Sequence, residues 1–131
     1  MSAEFADTNV VLYLLDEGPK ADRAEAILAQ GPRISVQVLN ETLVNCRRKA
    51  GLSWEDTRDF LGGLQAVCPV ENLTVQTHAV GRAVAERYGL SIYDAMIVAS
   101  ALIADCTVLW SEDMQHGLLV EGQLRITNPF A

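Results

Sequence analysis

The sequence predicts an α/β fold, a three-layer α/β/α sandwich around a mainly parallel central sheet of four to five strands. Short apolar segments alternate with longer segments whose apolar residues recur at helical spacing, from one end of the chain to the other. Strands that alternate with helices form a mainly parallel sheet covered on both faces. Because 131 residues suffice for one hydrophobic core, we expect a single domain over 1–131.

The strands are predicted from short apolar segments, and the first of them runs directly into Asp7. A carboxylate at that point lies at the carboxyl edge of a parallel sheet, where ligands of open α/β folds usually bind. We expect strands at 3–6, 33–36, 67–70, 107–110 and 123–127.

The helices are predicted from their capping residues and from glycines near their ends. Ser35 opens the third helix, which Gly51 ends; Ser53 with Asp56 opens the fourth, and Gly89 stops the fifth. Ser111 could also cap a short helix near the end of the chain. We expect the main helices at 8–15, 21–30, 35–48, 53–66, 74–89 and 91–106.

The composition is that of a soluble globular protein, with 50% hydrophobic and 21% charged residues. The longest apolar stretch, 95–104, is shorter than the roughly 20 residues of a membrane span, and it predicts a buried helix. The first ten residues have neither the basic start nor the apolar core of a secretory signal. We therefore expect a cytoplasmic protein without a membrane partner.

The net charge of −7 argues against broad, non-specific nucleic-acid binding but leaves room for a local basic rim. The one dense basic cluster is Arg47, Arg48 and Lys49. It could contact nucleic acid, or it could place cations at the carbonyl end of a helix. The three cysteines have no metal-ligand spacing and are expected to be buried or half-buried thiols; they are Cys46, Cys68 and Cys106.

Four acidic residues occupy related places on this map. Asp7 follows the first strand, Glu41 lies in the helix after the second, Asp94 begins the apolar helix, and Asp113 follows the fourth strand. Segments that follow the strands of a parallel sheet gather at one edge. These distant acids can therefore meet in the folded chain.

Each acid also has a simpler explanation. Asp7 could cap the following helix, Asp94 completes the capping-box pattern with Ser91, and Asp113 could cap a short terminal helix. Glu41 lies inside a helix where no backbone donor is free, so its alternative is an exposed polar face. Capping and metal binding are compatible, and these alternatives stay open at this stage.

Converging carboxylates repel one another unless a cation or protons neutralise them. Mg²⁺ or Mn²⁺ is the usual solution, because both ions prefer oxygen ligands, whereas the lack of Cys/His spacing disfavours zinc. Thr8, Asn9 and Ser111 lie beside the acids and could orient waters or ligands.

Four segments resemble, in order and spacing, the sequence blocks of PIN-domain ribonucleases, in particular the VapC-like toxins of bacterial toxin–antitoxin pairs. They are FADTNVVLYLL, SVQVLNE, SIYDAMIVASAL and LWSEDMQHG. The closing RITNPF resembles the tail of one VapC subgroup, so the resemblance covers essentially the whole chain.

The resemblance implies a PIN-like fold and a Mg²⁺- or Mn²⁺-dependent endoribonuclease that hydrolyses phosphodiester bonds in tRNA or rRNA loops with a metal-activated water. It places Asp7, Glu41 and Asp94 at the principal metal, with Asp113 acting through water or at a second ion. His116 could contact substrate, although a lone histidine here is more often structural. The implied partners are RNA, a cognate antitoxin and a second copy of the chain.

Two other functions fit part of the pattern. A receiver-type signalling domain also binds Mg²⁺ with clustered acids, but it should show an acidic pair after its first strand and a lysine after its last. The chain has Asp7 alone and no lysine after 107–110. A catalytically silent PIN-like interaction module is disfavoured by the retention of all four acids, and an activity assay distinguishes it.

Overall fold

The computed structural model describes residues 3–131 and confirms the α/β prediction with a mainly parallel sheet. Four strands form the main sheet in the order β1-β4-β6-β5. Their bounds are β1 Glu4–Ala6, β4 Val108–Trp110, β5 Leu119–Val120 and β6 Leu124–Thr127. The strand β4 pairs in parallel with both β1 and β6, whereas β5 pairs antiparallel with β6.

A second parallel pair extends the sheet beyond β1. It consists of β2 (Ile34–Ser35) and β3 (Val70–Glu71). A bridge between Phe5 and Arg33 joins it to β1, where the Ala6 N–H donates to the Arg33 carbonyl at 3.0 Å. Strands form near all five segments expected from the sequence, but the third prediction, 67–70, was misplaced, because Val67 is the last residue of a helix and the strand runs over Val70–Glu71. The short β5 was not predicted.

Six α-helices lie within residues 3–131. They are α1 Thr8–Leu12, α2 Pro19–Leu28, α3 Val36–Arg48, α4 Trp54–Val67, α5 Val75–Tyr88 and α6 Ile92–Ile103. The predicted caps are present: the hydroxyls of Ser35, Ser53 and Ser91 accept backbone N–H groups, and Gly89 ends α5 in the left-handed conformation with φ 70°. These caps satisfy donors that have no partner inside the helix.

Two further predictions of local structure were wrong. The helix expected over 8–15 is α-helical only to Leu12 and continues as a 3₁₀ turn over Tyr13–Leu15. No helix starts after Ser111. The Ser111 hydroxyl accepts the Met114 N–H at 3.3 Å but donates to Asp7, and the chain proceeds as turns to β5.

The core is built from the central strands and α6. Phe5, Leu109 and Ile126 on the strands are fully buried, as are Ile97 and Val98 on α6. The apolar helix is therefore buried along its middle, as predicted, while its first residues are exposed.

The three cysteines are free and buried, which confirms that prediction. Burial raises the pKa of the Cys68 and Cys106 thiols to about 11. None of the helices within residues 3–131 is long and apolar enough to cross a membrane.

Candidate active site

Asp7 lies at the junction of β1 and α1 and is almost completely buried, with 3% of its surface exposed. It is the N-cap of α1, because the Thr8 N–H donates to Asp7 Oδ1 at 2.7 Å. Its backbone N–H donates to the Trp110 carbonyl of the neighbouring strand at 2.9 Å. The carboxylate is therefore both a helix cap and a group fixed at the carboxyl edge of the sheet.

A single amide connects Asp7 with the segment after β4. Asn9 Nδ2 lies 3.0 Å from Asp7 Oδ2 and 3.2 Å from Asp113 Oδ2. The side-chain oxygen Oδ1 of Asn9 accepts the Glu112 N–H at 3.1 Å. The Ser111 hydroxyl donates to Asp7 Oδ2 at 2.7 Å. Asn9 and Ser111 thus bring Asp113 to the same place as Asp7, as the sequence predicted.

Glu41 joins this group from α3, which packs against α1. The Thr8 hydroxyl donates to Glu41 Oε1 at 2.8 Å, and Gln37 Nε2 donates to Oε2 at 2.7 Å. The side chain is half-buried, so the alternative of a fully exposed polar face does not hold. Thr8 therefore links Glu41 to the N-terminus of α1.

Asp94 lies in the first turn of α6, where its backbone N–H donates to Ser91 Oγ at 3.1 Å. Burial raises the pKa of its carboxyl, and the charges of Glu41 and Asp113 raise it further. A hydrogen bond with the Ser91 side chain acts in the opposite direction. Asp94 is thus half-buried and lies within electrostatic reach of acids from two other segments.

The electrostatics of Asp7 reflect the same convergence. The pKa of Asp7 is raised from 3.8 to about 7, chiefly by burial and further by the charges of Asp94 and Glu41. Hydrogen bonds from Ser111 and from the Thr8 backbone lower it. The environment of Asp7 therefore disfavours the charged form of its carboxyl, chiefly through burial.

The donor chemistry fits a hard divalent cation, because the site gathers carboxylate oxygens and Mg²⁺ and Mn²⁺ prefer oxygen ligands. Within residues 3–131, however, no three His, Cys, Asp or Glu side chains form a ready-made metal cage. Amide and hydroxyl donors from Thr8, Asn9, Gln37 and Ser111 occupy carboxylate oxygens instead. Residues 7, 41, 94 and 113 could hold a cation by exchanging some of these hydrogen bonds for it.

Two of the other predicted residues are engaged elsewhere. His116 Nδ1 accepts the Asn128 N–H at 2.9 Å, so its observed role is to hold the C-terminal segment. The Arg47 guanidinium donates to the Leu52 carbonyl at 2.7 Å and lies 4.5 Å from the centre of the Trp54 ring. Arg48 and Lys49 are exposed. Arg47 is therefore the residue of the basic cluster whose contacts stabilise the end of α3.

Sequence reasoning missed a group at the rim of the site. Glu112 accepts hydrogen bonds from the Tyr13 hydroxyl at 2.6 Å and from Lys20 Nζ at 2.8 Å. These two bonds lower the pKa of Glu112, and Glu112 raises the pKa of Tyr13. Gln37 was also missed, although its position four residues before Glu41 on a helix could have revealed the contact.

Comparisons of sequence and of structure identify proteins to which this chain is similar. The sequence model of the PIN domain matches residues 5–117. No curated protein sequence matches the chain significantly.

Solved structures share the fold at low sequence identity. A toxin–antitoxin complex from Klebsiella pneumoniae has a TM-score of 0.74 and 19% identity, over 96% of this chain and 97% of that one. A DNA-bound VapBC from Salmonella typhimurium has a TM-score of 0.73 and 21% identity, over 98% and 99%. The sarcin-ricin loop cleaving toxin VapC20 of Mycobacterium tuberculosis has a TM-score of 0.65 and 20% identity, over 84% and 89%.

Proposed function

The chain belongs to the PIN-domain family, and we propose that it is a Mg²⁺- or Mn²⁺-dependent endoribonuclease of the VapC toxin type that hydrolyses phosphodiester bonds in RNA. What supports the proposal is that Thr8 and Asn9 link Asp7 by hydrogen bonds to Glu41 and Asp113. Asp94 lies within electrostatic reach of Glu41 and Asp113. One structural relative is described as cleaving the sarcin-ricin loop. Loops of rRNA or tRNA are therefore the substrates we propose.

The four acids have different parts in this proposal. Asp7, Glu41 and Asp94 would hold the principal ion, and Asp113 would act through water or at a second ion. A bound Mg²⁺ or Mn²⁺ supplies charge neutralisation at phosphate and a lowered pKa for water. Asp7 is rigidly placed by its burial and by the Thr8 N–H, so it provides the fixed point of the site.

Neighbouring side chains would orient these acids. Asn9 holds Asp7 and Asp113 in a common orientation through one amide nitrogen. Thr8 and Gln37 each hold one oxygen of Glu41. Groups that orient metal ligands in this way commonly change metal affinity by about 10- to 100-fold when they are removed.

The receiver-type alternative finds little support. The only lysines of the chain are Lys20 and Lys49, both in its first half, so no lysine follows the strands β4 to β6. The silent interaction module differs from the proposal only in activity. The assay below separates the two.

The proposed protein partner is a cognate antitoxin, because structural relatives were solved as toxin–antitoxin complexes. An apolar cleft of about 400 Å³ lies between α2 and α4, with Leu28, Phe60 and Leu64 among its lining. Two acids, Glu25 and Asp59, also line it. An amphipathic helix with basic residues beside its apolar face is complementary to this cleft.

Cleavage of structured RNA by the purified chain tests the proposed activity. We expect cleavage with Mg²⁺ or Mn²⁺, none with excess chelator, and loss of activity in Asp94→Asn without loss of folding. Asp105→Asn is the matched control, because Asp105 is exposed and its φ of 59° is one that asparagine tolerates. Undiminished cleavage by Asp94→Asn, or cleavage in chelator, would refute the assignment.

A further inference from the structure

A second cleft lies directly beside the acidic site, where α3 faces the start of α6. Its volume is about 440 Å³, within the range of about 300–1,000 Å³ typical of small-ligand pockets. It is lined by Gln37, Asn40, Glu41, Val44, Asn45 and Tyr93. Glu41 belongs to both the cleft and the acidic site, so a molecule in the cleft lies next to the carboxylates.

Tyr93 is the most exposed aromatic side chain of this region, with 65% of its surface accessible. It immediately precedes Asp94 in the first turn of α6. Within residues 3–131, its ring stacks on no other aromatic ring and lies under no cation. Val44, across the cleft, is 43% exposed. The cleft therefore offers a flat ring and an apolar side chain that contribute little to folding.

The remaining lining consists of amides. Gln37 Nε2 donates to the Glu41 carboxylate, and Asn45 Nδ2 donates to the Glu41 carbonyl at 2.8 Å. These bonds leave the side-chain carbonyl oxygens of Gln37 and Asn45 as acceptors. Asn40 is exposed, and its side chain makes no hydrogen bond within residues 3–131. Amide donors and acceptors beside an aromatic ring match the flat, polar-edged shape of a nucleobase.

We propose that this cleft binds an unstacked base of the RNA substrate, on the nucleotide next to the cleaved phosphate, with the base stacked on Tyr93. The inference rests on the proposed nuclease function and assigns a part of its substrate to named residues. The lining contains no lysine or arginine, and Glu41 disfavours an anion, so a base fits the cleft better than a phosphate.

The neighbouring surface provides a place for the next phosphate. Gln37, Glu41 and Asn45 follow one another at four-residue spacing on α3, and Lys49, which caps the end of this helix, continues that spacing. Asn45 and Lys49 also line a smaller cleft of about 230 Å³. A strand leaving the base cleft along this face meets the exposed Lys49 ammonium, which can bind phosphate.

Binding of short fluorescent RNAs tests the base cleft. The probes are single-stranded oligoadenylate and oligouridylate and an abasic ribose-phosphate strand of the same length, titrated in Mg²⁺ into protein carrying Asp7→Asn to suppress cleavage. In that background we expect Tyr93→Ala to weaken binding of the base-containing strands about 10-fold. Binding of the abasic strand should not change, because the phosphates keep their contacts.

Two variants serve as controls. Tyr93→Phe keeps the ring and should bind like the parent protein. Val75→Ala removes another exposed apolar side chain, at the start of α5, and should leave the binding of all three probes unchanged. Melting curves check that each variant is folded, which the exposure of Tyr93 and Val75 favours.

Several results would overturn the inference. Equal weakening of the base-containing and abasic strands would show that Tyr93 does not contact a base. A fall in molar mass on Tyr93→Ala, measured by light scattering, would assign the face to a second copy of the chain. RNA cleavage by the chain with Asp7 intact is measured separately. If the chain cleaves RNA but Tyr93→Ala does not weaken base binding, the proposed base cleft is wrong and the nuclease function stands. If Tyr93 binds a base but the chain cleaves no RNA, the proposed nuclease function is wrong.

Discussion

The Ser111 hydroxyl donates a 2.7 Å hydrogen bond to Asp7 Oδ2 and so connects the carboxyl ends of β4 and β1. The parallel register that pairs Ala6 with Trp110 places the two residues side by side, although 104 positions separate them. Both side chains are buried. The hydrogen bond therefore stabilises the charged form of a carboxylate that its burial otherwise disfavours.

Replacing Ser111 should make Asp7 a weaker acid. In Ser111→Ala we expect the pKa of Asp7 to rise above its value of about 7, because the largest influence that opposes burial is removed. Carboxyl-carbon NMR of the metal-free protein measures the change. Ser53→Ala is the control, since it removes the cap of α4 but no hydrogen bond to Asp7 or to another acid of the site. An unchanged pKa of Asp7 in Ser111→Ala would show that the Ser111 hydrogen bond does not offset the effect of burial.

The raised pKa of Asp7 predicts how the stability of the metal-free protein depends on pH. The folded chain holds the proton up to about pH 7, whereas the unfolded chain releases it near 3.8. The free energy of unfolding should therefore fall as pH rises from about 4 to about 7, by roughly 4 kcal/mol for this group. Chemical denaturation across this range tests the slope.

The matched variant is Asp7→Asn, which cannot titrate but can still cap α1. It should lose most of the pH dependence and should equal or exceed the parent protein in stability at neutral pH. Identical slopes in the two proteins would show that Asp7 is not the group responsible.

Most strands and the helix caps could be predicted from the sequence because they depend on local signals, and the neighbourhood of Asp7 and Asp113 could be predicted from one rule of sheet topology. Asp7 and Asp113 follow strands, so their meeting follows from parallel pairing. The hydrogen bond between Tyr13 and Glu112 could not be predicted, because it joins residues 99 positions apart without a shared pattern. The strand β5 has only two residues and is defined by its pairing with β6, so its sequence carries no periodicity.

Metal binding should change the stability of the protein if the acids form one cation site. Adding Mn²⁺ or Mg²⁺ should raise the melting temperature, with a linkage free energy of about 2.7 kcal/mol at a hundredfold excess over the dissociation constant. Asp7→Asn should lose most of this shift, because a buried ligand is removed. Melting curves with chelator and with Mn²⁺ provide the measurement. Equal metal-induced shifts in the two proteins would exclude Asp7 as a ligand.

The residues of the basic cluster at the end of α3 should have two different roles, RNA binding and stabilisation of the fold. Arg48→Ala with Lys49→Ala should weaken RNA binding and flatten its salt dependence, since fewer counterions are released. Arg47→Ala should instead lower stability, because it removes the contacts with Leu52 and Trp54. Salt titrations of RNA affinity, combined with melting curves, separate the two effects. An unchanged salt slope in the double variant would remove Arg48 and Lys49 from the RNA-binding surface.

Alanine substitutions at two adjacent glycines in the interior of α4 should separate an effect on stability from an effect on partner binding. A Cβ added at Gly62 or Gly63 meets no atom within 4 Å, and only Gly63 lines the apolar cleft between α2 and α4. Each change to alanine should stabilise the isolated chain by about 0.5–1 kcal/mol, because glycine is a poor helix former. Gly63→Ala alone should weaken binding of the purified antitoxin, since its methyl group narrows the cleft that the partner helix would occupy. Denaturation curves and calorimetric titrations of both variants measure the two effects. If Gly62→Ala and Gly63→Ala bind the antitoxin equally well, the partner helix does not lie against this part of α4.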